Sequence, residues 1–239
     1  VFFLWRRRPP RSTLFPYTTL GRSGTTLVIK GVTTELLHDP LGVVYSHRAA
    51  DGNWLPGGAS STGAGILTKD FPNANLEAFN RVAAAAGPSP LVVYPLAGQG
   101  ERFPFAAPEA RGFTLGHATT PEQHYAGVLQ GIAFLERLSF DYLRQLGAPM
   151  HGIFTFTGGA SKSREWNQLR ANVLEREIAI PMISEGAFGM AILIAAHGSS
   201  LSVASQHMTH LRETISPDRS FSQYVTQYDT FIRELTSRG

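Results

Sequence analysis

The chain changes its hydrophobic period repeatedly, and the changes mark its elements. Gly152–Thr157 is an apolar run rich in β-formers and reads as a short strand. Gly158 and Gly159 break it, and Trp166, Leu169, Val173 and Leu174 then recur at helical spacing. Ser161 and Ser163 are capping residues for that helix. The same alternation of strand and helix runs through the rest of the sequence. Thr26–Gly31, Val43–His47 and Trp54–Ser60 read as three short strands on tight connections. A helix starts within Ser60–Leu67, and a second runs from Asn75 to Ala86 with Gly87 as its stop.

Ser89–Gly112 is rich in Pro and Gly, and reads as a strand over Leu91–Tyr94 followed by ordered loop. Pro121–Gly147 is the longest helical pattern, with Val128, Ile132, Leu135, Leu138, Tyr142, Leu143 and Leu146 on one face. After the glycine turn come a strand over Glu177–Met182 and a helix from Gly186. His207–Thr214 and Phe221–Arg238 complete the chain as amphipathic helices, the second carrying Tyr224, Tyr228, Phe231, Ile232 and Leu235 on one side. Strands alternating with helices indicate an α/β layer fold.

Composition adds little to this and removes much. The 239 residues, 43% of them hydrophobic, suffice for one large domain or two small ones. No cysteine is present, so disulfides and thiolate metal sites are excluded. No apolar run reaches the length of a membrane span. The eight histidines make no metal pattern, and no Gly-x-Ser-x-Gly nucleophile motif occurs. A cytoplasmic setting is the expectation. The net charge of +3 is misplaced rather than diagnostic. Residues 1–23 hold Arg6, Arg7, Arg8, Arg11 and Arg22 and no acid; taking those five charges away leaves −2 for the rest. Nucleic-acid binding is therefore not expected. Residues 1–23 resemble translated sequencing-adapter read-through and are read as a non-native, disordered leader, the rival being a basic targeting arm. The domain proper is expected to span residues 24–239.

Strand, glycine turn and helix start suit an anionic or nucleotide ligand, because glycine admits close backbone approach and the helix start offers N–H groups. Alone the signal also fits a plain connection. It is neither a dinucleotide fingerprint nor a P-loop. Three further segments stand in order around it: Gly24-Thr25-Thr26, Gly100-Glu101-Arg102-Phe103-Pro104, and Gly186-Ala187-Phe188-Gly189-Met190-Ala191. In this order and spacing the chain resembles the C-terminal domain of the FGGY carbohydrate kinases, over roughly residues 24–200.

The resemblance implies an actin-like ATPase (ribonuclease H-like) fold, a mixed sheet flanked by helices, with ATP and Mg2+ as cofactors. Gly24, Thr25 and Thr26 match the family's phosphate turn. Gly158, Gly159, Ala160 and Ser163 match its adenosine segment, with Ala160 at the usual third glycine. Gly186 and Ala187 match the segment that closes the adenine pocket. The Glu101-Arg102 loop and the Gln130-Gly131-Ile132 helix read as architectural. Tyr45–Arg48, Trp54–Gly63 and Tyr94–Pro104 resemble the D-ribulokinase branch, with xylulokinase as the alternative, so a pentulose is the implied substrate and a homodimer is admitted. In the family a base aspartate precedes the phosphate turn. No acid precedes Gly24 here, and Asp39 and Asp51 follow it, so the resemblance assigns no catalytic residue and no activity to this chain alone. A non-enzymatic actin-like ATP-binding domain and a Rossmann-type nucleotide module are the alternatives.

Overall fold

A computed structural model describes residues 19–238. Residues 1–18, where most of the expected leader falls, lie outside them. The first described residues form a strand, β1 (Thr19–Ser23), followed by β2 (Leu27–Lys30), β3 (Tyr45–Arg48) and β4 (Trp54–Ser60). With β7 (Phe154–Thr157), β8 (Ile178–Pro181) and β9 (Leu211–Ile215) they make one seven-stranded sheet in the order β3-β4-β2-β1-β7-β8-β9. β1, β2, β4 and β3 are antiparallel neighbours; β1, β7 and β8 run parallel; β9 returns antiparallel. An antiparallel half of this kind excludes the doubly wound parallel sheet of a Rossmann module.

β1 occupies the centre of the sheet, so the boundary expected at Gly24 falls at the end of the first strand. The basic run hides this strand in the sequence. Arg22 lies on the exposed face, whereas Gly21 and Ser23 are buried. A Cβ on Gly21 would stand 2.5 Å from the ring of Phe156, so only glycine fits beside that ring.

Among the helices, α1 (Gly65–Asp70) and α2 (Leu76–Ala86) precede α3 (Pro121–Gln145), and α4 (Arg164–Leu174), α5 (Gly186–Ala195), α6 (Leu201–Met208) and α7 (Val225–Arg238) follow. α3 and α4 pack against the sheet. Three of the long helices begin where their capping chemistry says they should. Asn75 accepts from Ala78 N, Thr120 from Gln123 N with Pro121 next to it, and Ser163 from Trp166 N. Leu27, Ile29, Phe154, Phe156, Ile178 and Ile180 alternate inward from the sheet and meet Phe140 and Leu143 of α3 and Ala171 and Leu174 of α4. Among the described residues no helix is long and apolar enough to cross a membrane.

Two expectations change. The expected loop after Tyr94 is a hairpin of β5 (Val92–Glu101) and β6 (Ala107–Leu115), a separate two-stranded sheet. Register shifts between Tyr94 and Glu101 absorb Pro95 and the glycines, with Gly100 at φ +90. In a two-stranded sheet every strand has a free edge, where a proline removes no ladder bond. The helix expected over His207–Thr214 ends as α6 at Met208, and Leu211–Ile215 becomes β9, paired with β8. Its burial alternates with period two up to the buried Ile215, and the open edge of β8 decides in favour of strand. The last helix, expected from Phe221, begins at Val225 after a 3-10 turn over Phe221–Gln223; Tyr224 and Phe231 are buried as expected and join Tyr94, Phe134 and Phe221 in an aromatic cluster beneath the hairpin.

An ion pair that the sequence did not announce ties α3 to α4. Glu136 and Arg170 are both fully buried, 3.0 Å apart, with Arg170 over the rings of Trp166 and Phe156. Burial pushes the Glu136 carboxyl up, against the opposing pull of Arg170.

Candidate functional site

Parallel strands place their carboxyl ends on one edge of a sheet, and ligands of open α/β sheets gather there. β1, β7 and β8 are consecutive parallel neighbours, registered Arg22 to Thr157 and Thr155 to Ala179. Each is followed at this edge by one of the three segments singled out in the sequence: Gly24–Thr26 after β1, Gly158–Ser163 after β7, and Gly186–Ala187 at the start of α5, a few residues past β8.

The first turn joins β1 to β2 and lies against the segment that enters α1. Leu27 N donates to Thr62 O at 2.8 Å, Ala64 N to Gly24 O at 2.9 Å, and Gly65 N to Thr25 O at 3.2 Å. Gly63 permits this approach, since a Cβ there would sit 2.6 Å from the carbonyl carbon of Thr26. The second turn leans on β1 in the same manner. Gly158 has φ +91, and a Cβ on it would meet Ser23 O at 2.5 Å. A single turn of 3-10 helix (Gly159–Lys162) follows, closed by Ser161 N and Oγ on Gly158 O at 3.2 and 2.8 Å.

Gly24, Gly159 and Gly186 have no atom within 4 Å of where a Cβ would stand. Three backbone stretches on one edge thus face open space. Arg22 and Lys162 are exposed along it, as is Glu185 just ahead of Gly186. The structure brings Gly24, Thr25, Thr26, Gly158, Gly159, Gly186 and Ala187 to this edge. Two of the expected residues use their side chains elsewhere. Ala160 is buried and packs in the cluster of Ile66, Leu67 and Trp166, so its methyl points into the core rather than toward the open edge. The Ser163 hydroxyl caps α4 and donates to Glu165 at 3.2 Å.

Behind the first turn lies a buried carboxylate. Glu101 Oε2 accepts from Ser60 Oγ at 2.8 Å, Tyr94 Oη at 2.8 Å and Thr62 Oγ1 at 3.2 Å. Its Oε1 accepts from Ser61 N at 2.6 Å and Arg102 N at 2.9 Å. Burial, and then the charge of Glu101, push the Tyr94 phenol up and keep it a donor. Sequence reading placed Glu101 in a loop staple; it missed what the staple holds. Gly63 and Gly65, two residues apart, were the available signal.

Residues 18–198 match the family model described as FGGY family of carbohydrate kinases, C-terminal domain. The chain belongs to this family. Among curated relatives, the xylulose kinase of Staphylococcus epidermidis is 26% identical over 176 residues, covering 69% of this chain and 35% of its own length. The gluconokinase of Bacillus subtilis is 25% identical over 182 residues, covering 68% and 34%. The fold matches FGGY kinases of known structure and their actin-like ATPase architecture. A xyloylose kinase from Brucella ovis superposes with a TM-score of 0.83 at 24% identity, over 95% of this chain and 49% of that one. A glycerol kinase from Plasmodium falciparum with ADP gives 0.74 at 15%, over 90% and 46%. The chain spans about a third of the curated relatives and about half of the solved kinases.

Proposed function

We propose that this chain forms the ATP-binding half of a cytoplasmic carbohydrate kinase acting on a pentulose of the D-ribulose or D-xylulose type. The observation that carries the reading is the row of three glycine-bearing segments at the ends of β1, β7 and β8, each open in front of its glycine. The Plasmodium glycerol kinase with ADP and the kinases named above support ATP as the nucleotide. The pentulose rests on the resemblance of Trp54–Gly63 and Tyr94–Pro104 to the ribulokinase branch; the gluconokinase relative marks the competing substrate class.

Each segment has a distinct task in this reading. Gly24–Thr26 holds the terminal phosphate through backbone N–H groups and the threonine hydroxyls. Gly158–Gly159 lets the backbone pass beneath the ribose, and Gly186–Ala187 closes over the adenine. ATP supplies the phosphoryl group. The Mg2+ that accompanies it is assigned to the phosphates and water, in keeping with its usual coordination. Transfer of this kind depends on positioning and charge stabilisation. No residue of this chain is assigned as the base or as a sugar ligand, and the chain alone is not expected to turn over.

Calorimetry of magnesium-ATP on the whole chain, beside Gly159→Asp, tests the reading. Binding that the added carboxylate abolishes is expected. A folded wild-type sample that binds no ATP refutes it. Release of ADP from ATP with D-ribulose or D-xylulose by the chain alone would refute the assignment of the base elsewhere.

A further inference from the structure

The Glu101 carboxylate is 3% exposed and takes five hydrogen-bond donors. Three come from consecutive residues, Ser60, Ser61 and Thr62, at the end of β4. Ser60 Oγ in turn accepts from Thr62 N at 2.9 Å. The same short segment then makes the backbone bonds to Gly24, Thr25 and Leu27 that fix the first turn from behind. Gly63 leaves no slack there, because its Cα hydrogen already faces the backbone of Thr26. Displacement of residues 60–65 therefore displaces the turn. The other two segments of the edge hang on β7 and β8 and make none of these bonds.

We propose that Glu101 is a positioning residue for phosphate binding. By gathering Ser60, Ser61 and Thr62 it sets the backbone of Gly24–Thr26 at which the terminal phosphates of ATP are held. The inference rests on the ATP reading above and deepens it. A carboxylate suits this task because both its oxygens accept and neither donates, so five donors converge without conflict. Glutamine at the same place carries an amide that donates. It must turn two N–H groups toward Ser61 N and Arg102 N, or toward the three hydroxyls.

The test separates the phosphate end of the nucleotide from the adenosine end. Magnesium-ATP and AMP are titrated by calorimetry into the whole wild-type chain, Glu101→Gln and Ser60→Ala, with thermal melts to confirm folding. Glu101→Gln is expected to weaken ATP about tenfold, the scale of one misplaced charge-assisted hydrogen bond, and AMP by less than about twofold. Ser60→Ala should act in the same direction to a smaller extent. It removes one donor and one acceptor, so it carries the test if Glu101→Gln does not fold. Equal weakening of both nucleotides, or an unchanged ATP-to-AMP ratio in the folded variants, overturns the proposal. A wild type that binds ATP and AMP equally overturns it too, while leaving the nucleotide site standing. A wild type that binds neither overturns the site itself.

Discussion

Gly158 and Gly159 are adjacent in sequence, yet alanine at each should fail in opposite ways. Gly158 has φ +91 and ψ −178, a combination that only glycine reaches without strain. Forcing alanine there costs about 1–3 kcal/mol in backbone strain. The new Cβ would also stand 2.5 Å from Ser23 O, well inside contact distance. Relief requires β1 and β7 to separate by several tenths of an ångström at the parallel seam where Arg22 faces Thr157. Each ladder bond weakened there is worth about 1 kcal/mol. The total for Gly158→Ala is therefore about 3–5 kcal/mol, a large share of the ~5–15 kcal/mol that holds a domain. For a chain of this size the melting temperature should fall by about 6–20 °C. Alanine at Gly159 meets nothing within 4 Å and should change stability by less than about 0.5 kcal/mol. It should nevertheless weaken magnesium-ATP, because its methyl occupies the space assigned to the nucleotide. Melts by circular dichroism and calorimetry on both variants check the pair. A Gly158→Ala chain melting within 2 °C of wild type (about 0.5 kcal/mol) would refute the steric argument, and a Gly159→Ala chain with unchanged ATP affinity would refute the placement of the ligand.

Other outcomes follow from the core. Phe231 is fully buried among Tyr94, Phe113 and Phe134, so Phe231→Ala should cost about 3–5 kcal/mol, measurable by urea denaturation. Glu136→Leu strands the buried Arg170 charge and should cost about 3–5 kcal/mol, whereas adding Arg170→Met should restore most of that loss; a double variant weaker than the single one contradicts this. Burial lowers Lys30 from 10.5 to about 8, and its ammonium donates to the carbonyls of Tyr45 and Leu55 while lying over the Tyr45 ring. The unfolded chain thus binds more protons between those values, so stability should rise as pH increases from about 8 toward 10.5, and Lys30→Met should abolish the rise in melts taken across that range.

How far the sequence reveals this molecule depends on whether a signal is local. Pro121 after Thr120, Asn75 ahead of Leu76, and Ser163 ahead of Arg164 act within one helical turn, and all three helices start there. The three glycine segments were visible because strand, break and helix succeed one another. β1 was not, since its case depends on Phe156, over a hundred residues away, and Arg22 disguises it. β9 was misread because Leu211–Ile215 fits a helix or a strand by itself, and only β8 chooses. The role of Glu101 was hidden for a similar reason. All five of its donors are on other residues, three of them about forty positions earlier. Ala160 shows the converse error: a side chain counted toward the ligand by position turned out to face the core.

The central place of β1 has a further consequence, for synthesis. As the chain leaves the ribosome, β1, β2, β3 and β4 can pair by residue 60, since their contacts are antiparallel and short in range. The opposite edge of β1 then waits for β7, whose Thr157 pairs with Arg22 across 135 positions. Until that residue emerges the half-sheet carries an open edge with buried-type side chains on one face, the kind of intermediate that recruits neighbours or holding chaperones. The slow step of folding should be closure of the β1–β7 seam. The glycine that makes this seam possible, Gly158, also opens the second segment of the ligand edge, so closing the seam is what brings the first two segments of the site together.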